Sequence, residues 1–144
     1  ALVPQESPLT RIPPDMNILL APNSFKGNID AWQVAEALAT GFRRASPRYQ
    51  CHLLPIADGG DHFAEVMTRA MGGQMVSVPV LDPLGRPITA SYGLAPNGTA
   101  IVEMAKASGV ALLDKSELDP MRASSYGTGQ LLAHALQNGC QRLL

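Results

Sequence analysis

CHLLPIADGGDHFAEVMTRAMGG, residues 51–73, reads as a short buried strand, a glycine-bearing polar turn and a helix in direct succession. The apolar run 51–56 is too short for a helix and is bounded by turn residues, which argues for a strand. Residues 61–71 carry apolar positions at helical spacing, and Gly72-Gly73 supplies a stop. Upstream the same order recurs. Residues 17–21 form an apolar strand closed by Pro22 in the turn APNSFKG (21–27). Asp30 then stands where a helix cap is needed, ahead of a stripe of Val34, Ala35, Leu38 and Phe42 that ends at Ser46-Pro47. The order β-α-β-α is the opening of a doubly wound α/β sheet. In such sheets ligands bind at the carboxyl ends of the strands, so the turns 21–27 and 57–63 are the first places to look for chemistry.

Beyond Gly73 the pattern changes. Residues 74–81 and 88–94 alternate in part and flank the turn DPLGRP (82–87), which predicts a hairpin or two strands joined by a loop. Asn97-Gly98 turns the chain into a strand at 99–104. A loop through Asp114, Glu117 and Pro120 leads to a helix from about Thr128 with Leu131, Leu132, Ala135 and Leu136, stopped by Asn138-Gly139. Residues 140–144 begin another strand. A meander after a βαβα start suggests either an antiparallel edge or a second small domain, and the alternating strands with turns favour the second domain. The expected division is a proline-rich lead-in at 1–16, a first α/β unit at 17–73 and part of a second at 74–144. The strand breaking off at Leu144 suggests an incomplete fold, a segment of a longer polypeptide.

The 144 residues carry 11 Lys and Arg against 12 Asp and Glu, a formal net charge of −1. That balance argues against a nucleic-acid surface built on bulk positive charge and points to small-molecule partners. Cys51 and Cys140 lie far apart without metal or disulfide spacing, which suits a reducing cytoplasm. No apolar run approaches the ~20 residues of a membrane span.

Several residues carry candidate chemistry, each beside a plainer reading. Lys26, in a loop before a helix, suits a phosphate or carboxylate, or is a solvated surface lysine. Asp58 and Asp61 bracket Gly59-Gly60, where the backbone can approach a ligand while an acid holds Mg²⁺ or takes a hydroxyl proton. Asp61 is expected to cap the second helix, leaving Asp58 as the functional candidate and possible metal ligand. Glu103 ends a strand and either faces a site or pairs at the strand mouth. Thr128, in YGTG (126–129), is expected to cap its helix, whose free amides suit an anion. His52, His62 and His134 lack ligand spacing. The methionines and Trp32 are expected to fill or cover the core.

Taken in order, APNSFKG, ADGGDHF, PLGRPITASYG, IVEMAKASG and SSYGTGQLLAHALQNGC resemble the bacterial glycerate kinase family, collinearly from about Asn17 to Leu144. The resemblance implies two α/β domains, one Rossmann- or flavodoxin-like and one inserted. It implies transfer of a phosphoryl group from ATP, with Mg²⁺, to D-glycerate, with 2-phosphoglycerate the favoured product. Lys26 and Asp58 would be catalytic, while Ser24, Gly59, Gly60, Glu103, Ser108, Thr128 and Gly129 would contact substrate or phosphate. The family pattern has aspartate where this chain has Asn23, and Glu-Gly-Thr where it has Asp61-His62-Phe63. It continues into a glycine-rich segment of the GIGGSATNDGG kind, so the 144 residues alone are expected to have little kinase activity. The alternatives are a non-catalytic remnant or a flavodoxin-like binding module. An open reading frame downstream of Leu144 encoding such a segment separates the enzyme from the remnant.

Overall fold

The computed structural model describes residues 15–25 and 28–144. The fold is α/β and contains two sheets. Strands β1 (Asn17–Leu20) and β2 (Gln50–Leu53) pair in parallel, and α1 (Ala31–Ala45) crosses between them. The expected strands at 17–21 and 51–56 are thus shorter than their apolar runs. After Leu53 the chain still follows β1's lead, with Leu54 and Ile56 amides bonded to the Leu20 and Pro22 carbonyls.

Asp30 caps α1 as anticipated. Its carboxylate accepts from the Gln33 amide at 2.9 Å while the Gln33 side chain accepts from the Asp30 amide at 3.2 Å, a reciprocal capping box. The buried stripe is Ala31, Val34, Ala35 and Ala39, so small residues bring the helix close to its strands. Leu38 and Phe42, expected on that stripe, instead line an open apolar groove with Phe25, Ile29 and Ala45. The two-stranded sheet is narrower than the helix face that would cover it.

The second sheet runs β3-β4-β5-β6, with β3 (Gln74–Leu81), β4 (Pro87–Leu94), β5 (Thr99–Ile101) and β6 (Arg142–Leu143). β3 and β4 form the expected hairpin, antiparallel from Gln74↔Leu94 to Leu81↔Pro87. β6 lies parallel to β5, so residues between them make a crossover that carries α3 (Ala105–Ser108), two short 3₁₀ turns and α4 (Tyr126–Gln137). Alternation divides the sheet's two faces. Val78, Val80, Ala90, Tyr92 and Ala100 pack with Ala107, Leu131 and Ala135 on the α3–α4 side. On the other side Ile101 and Ala95 meet Ala64, Phe63, Met67 and Met71. α2 (Phe63–Ala70) therefore follows β2 in sequence but packs on the second sheet.

Strand β5 stops at Ile101, short of the expected 104, because the chain turns at Met104 into α3. α4 begins at Tyr126, so Thr128 lies inside its first turn and does not cap it. Met104 and Met121 are exposed, contrary to the expectation that methionines cover the core. Trp32 is half-buried on α1. The Arg69 guanidinium sits 3.7 Å from its ring centroid and joins α1 to α2.

At the hairpin tip, Asp82 is buried and gathers the turn. Its carboxylate accepts from the Leu84 and Arg86 amides at 2.8 Å each, and from Arg86 Nε at 2.5 Å. Arg86 Nη1 reaches on to Glu117 Oε1 at 2.7 Å, tying the tip to the segment before α4. Burial works against charge on Asp82, but the hydrogen bonds from Arg86 and Leu84 outweigh it and hold its carboxyl below the ordinary range. The Asp114 amide and then Arg86 depress Glu117 likewise.

Two outcomes follow. A Cβ at Gly127 would overlap the Leu81 carbonyl oxygen, whereas one at Gly129 meets nothing within 4 Å. Urea unfolding should show Gly127→Ala destabilised by about 1–3 kcal/mol, with Gly129→Ala unchanged or stabilised by up to ~1 kcal/mol through helix propensity. Because both carboxyls are depressed on folding, their contribution to stability is complete above the unfolded carboxylate pKa of about 4 and is lost as pH falls through the folded values. Urea midpoints measured from about pH 6 down to pH 2 should fall in the wild type, and less steeply in Glu117→Gln.

Candidate functional site

The turns after β1 and β2 face each other. Asn23 and Ser24 from the first, with Asp58, Gly59, Gly60 and Asp61 from the second, line a cleft of about 320 Å³. Ser24 and Asp61 also border an adjoining recess of about 210 Å³ that takes in Phe25, Asp30, Gln33 and His62. The parallel pairing of β1 and β2 puts both turns at the carboxyl end of the sheet, the position from which the sequence reading drew its candidates. Lys26 and Gly27 lie outside the described residues.

Two polar side chains in the cleft are engaged within their own turns. Asn23 Oδ1 accepts from the Ser24 amide at 2.7 Å, shaping the turn. Asp58 Oδ1 accepts from the Gly60 amide at 3.2 Å, which folds the carboxylate over its own loop while the side chain stays exposed. Asp61 does not cap α2. The capping position is His62, in left-handed backbone with φ of 68° and no side-chain hydrogen bond to the helix. Asp61 is exposed and borders both recesses, which leaves its carboxylate for the cleft.

The cap comes from elsewhere in the chain. Glu103, 4% exposed just past the end of β5, accepts from the His62 amide at 3.3 Å through Oε1 and from the Ala64 amide at 3.1 Å through Oε2. A buried carboxylate needs such donors, and the first turn of a helix has amides to spare. Spacing along the sequence could not reveal this pair, 39 to 41 residues apart.

The remaining candidates gather at a different place. Ser108 Oγ and Thr128 Oγ1 are 2.7 Å apart between α3 and α4, and Thr128 Oγ1 also approaches the Met104 carbonyl at 3.4 Å. Gly129 is exposed on α4. Ser108, Thr128 and Gly129 do not line the Asn23–Asp61 cleft. Two contacts lay beyond the sequence reading. Gln130 Oε1 accepts from the Leu81 amide at 2.8 Å and fixes α4 against the end of β3. Lys106 Nζ pairs with Glu65 Oε1 at 2.5 Å and ties α3 to α2.

The cleft presents hard oxygen donors, two carboxylates and an amide oxygen, of the kind that suits Mg²⁺. Among the described residues no cluster of three or more His, Cys, Asp or Glu could enclose a metal ion.

A polar cleft built from the turns after two parallel strands is the ligand-binding position of an open α/β sheet. Comparison with known proteins makes this particular. The model of the glycerate kinase family matches residues 18–144, and the chain belongs to that family. It is 41% identical over 128 residues to a glycerate kinase of Halalkalibacterium halodurans, covering 88% of this chain and 34% of that protein. Against the glycerate 2-kinase of Escherichia coli K12 the identity is 39% over 130 residues, covering 90% and 34%. A crystal structure from Salmonella typhimurium LT2, whose naming as a glycerate kinase 2 is itself provisional, superposes with a TM-score of 0.77 at 40% identity, over 90% of this chain and 35% of that one. The chain thus spans about a third of the length of these relatives. Among the described residues, no helix is long and apolar enough to cross a membrane.

His62 stands where the family pattern has glycine, and its φ of 68° is one that glycine adopts without the steric cost other residues meet. His62→Gly should therefore raise the urea midpoint, by roughly 0.5–1 kcal/mol in stability, while His62→Val should lower it.

Proposed function

We propose that this segment supplies part of the site of a glycerate kinase that uses ATP and Mg²⁺ to phosphorylate D-glycerate, with the 2-hydroxyl the favoured acceptor, in the cytoplasm. The observation that carries the reading is the Asp58–Asp61 loop facing Asn23 and Ser24 within a chain of this family. On this reading residues 17–73 contribute to a Rossmann-like unit and 74–144 to an inserted α/β unit, with α2 bridging them.

Phosphoryl transfer asks mainly for positioning and for neutralisation of charge. As the bond from the acceptor oxygen to the γ-phosphorus forms and the bond to the ADP oxygen breaks, the acceptor loses its proton. Asp58, with one oxygen bonded to the Gly60 amide and no partner on the other among the described residues, is suited to receive that proton or to hold the metal. Asp61 is the second carboxylate for the metal. Mg²⁺, when bound, neutralises phosphate charge. The Gly59 amide and the Ser24 hydroxyl would be offered to phosphate oxygens, and Lys26 would meet a phosphate or the glycerate carboxylate. Ser108, Thr128 and Gly129 would belong to an anion contact completed by parts of a longer protein.

The test is a chimera in which this chain replaces the corresponding third of the Escherichia coli relative. ADP release should depend on both D-glycerate and Mg²⁺. Asp58→Asn and Lys26→Ala should each lower kcat/KM about 100-fold, and Asp61→Asn more than about tenfold, since it is no helix cap. A folded chimera that hydrolyses ATP without phosphorylating glycerate would sink the proposal.

A further inference from the structure

We propose that Glu103 is a positioning residue: from just past the end of β5 it holds the first turn of α2, and through that turn sets the Asp58–Asp61 loop that faces Ser24. The inference rests on the proposed metal role of that loop but concerns a residue outside the cleft. Four observations converge on it.

α2 has no capping side chain of its own, and its capping position, His62, has φ of 68°. Unaided, that turn would relax toward a right-handed backbone and carry the preceding loop with it. The two Glu103 oxygens span the His62 and Ala64 amides, one on either side of Phe63, so the carboxylate fixes both ends of the turn. Glu103 is itself buried, 4% exposed, two residues past the end of β5, a strand whose residues are all buried. The loop has few ties within itself, the Asp58 to Gly60 contact and the Phe63 amide to the Gly60 carbonyl at 3.1 Å. The second sheet therefore dictates where the carboxylates of the first cleft stand.

A carboxylate can do this and an amide cannot do it equally. Glutamine offers one acceptor and directs its NH₂ at the other backbone N–H, leaving a buried donor unpaired. Groups that orient metal ligands from behind typically change metal affinity by about 10–100-fold when lost.

The experiment uses the 144-residue chain, ¹⁵N-labelled, with Mn²⁺ as probe. In the wild type, Mn²⁺ should broaden the amide signals of residues 58–61. In Glu103→Gln, the His62 and Ala64 amides should shift and lose exchange protection, and the Mn²⁺ Kd should rise about tenfold. Val66→Ala, a cavity in the same helix away from the loop, should lower stability yet leave the Mn²⁺ Kd within about twofold. Equal weakening by Val66→Ala would mean that Glu103 acts only through stability, and would overturn the proposal. If Glu103→Gln fails to fold, Glu103→Asp, too short to span both amides, should shift at least one of them; unmoved His62 and Ala64 amides overturn the proposal. Absence of Mn²⁺ broadening in the wild type would refute the metal reading of the loop alone, while displaced Gly59–Asp61 amides in Glu103→Gln would still support the positioning role and undisplaced ones would overturn it.

Discussion

The buried carboxylate of Glu103 adds a polar tie to the apolar packing that holds α2 on the second sheet. Glu103 lies two residues past the end of β5 in the second sheet, and the amides it satisfies begin the helix that follows the first sheet. Neither partner is stable alone. The carboxylate without donors would be a buried charge costing several kcal/mol, and the helix without an acceptor would leave amides unpaired beneath Phe63. Each requirement meets the other, at distances of 3.3 and 3.1 Å, and the contact fixes α2 in rotation as well as position. Thr68 and Gly93 then carry the same contact along the helix, since any side chain at Gly93 would collide with the buried Thr68 hydroxyl.

Close approach between small residues governs the rest of the second sheet. Ala100, Ala107 and Ala135 are fully buried, and Gly127 lets α4 descend onto the Leu81 carbonyl. At that separation the Gln130 side chain reaches the Leu81 amide and pairs the end of β3. Tyr92 fills the remaining space, with its ring edge against His134 and its hydroxyl 3.3 Å from Nδ1. Interiors packed to this density tolerate little added volume, so the glycines of YGTG have different duties: Gly127 is a packing requirement, and Gly129 is not.

The parts of the fold legible in the sequence are those encoded within a few residues. The Asp30 capping box, the DPLGRP hairpin and the Gly139 helix stop each rest on local chemistry, and all formed near the expected positions. The expectations that failed concern contacts made at a distance. Asp61 and Thr128 both had the residue type and location of a cap. The α2 cap instead arrives from Glu103, and Thr128 turns inward to Ser108. Leu38 and Phe42 kept helical spacing with the core stripe but lie outside it, because the face buried by β1 and β2 is only wide enough for alanine and valine. In the candidate site, sequence identified both turns because each follows a strand. It could not tell that Ser108 and Thr128 stand apart from them.

The ends of α1 and α2 bear on how the cleft can meet an anion. A helix amino terminus carries about half a positive charge and attracts phosphate when nothing else answers it. Here the chain's own carboxylates already answer it, Asp30 at α1 and Glu103 at α2. Asp58 and Asp61 add further negative charge at the cleft wall. A phosphate entering this space meets carboxylates before it meets free helix amides, so on the kinase reading its charge must be balanced by a cation shared with those carboxylates and by Lys26. On that reading, the internal caps that hold the loops in place also call for a cation in the cleft.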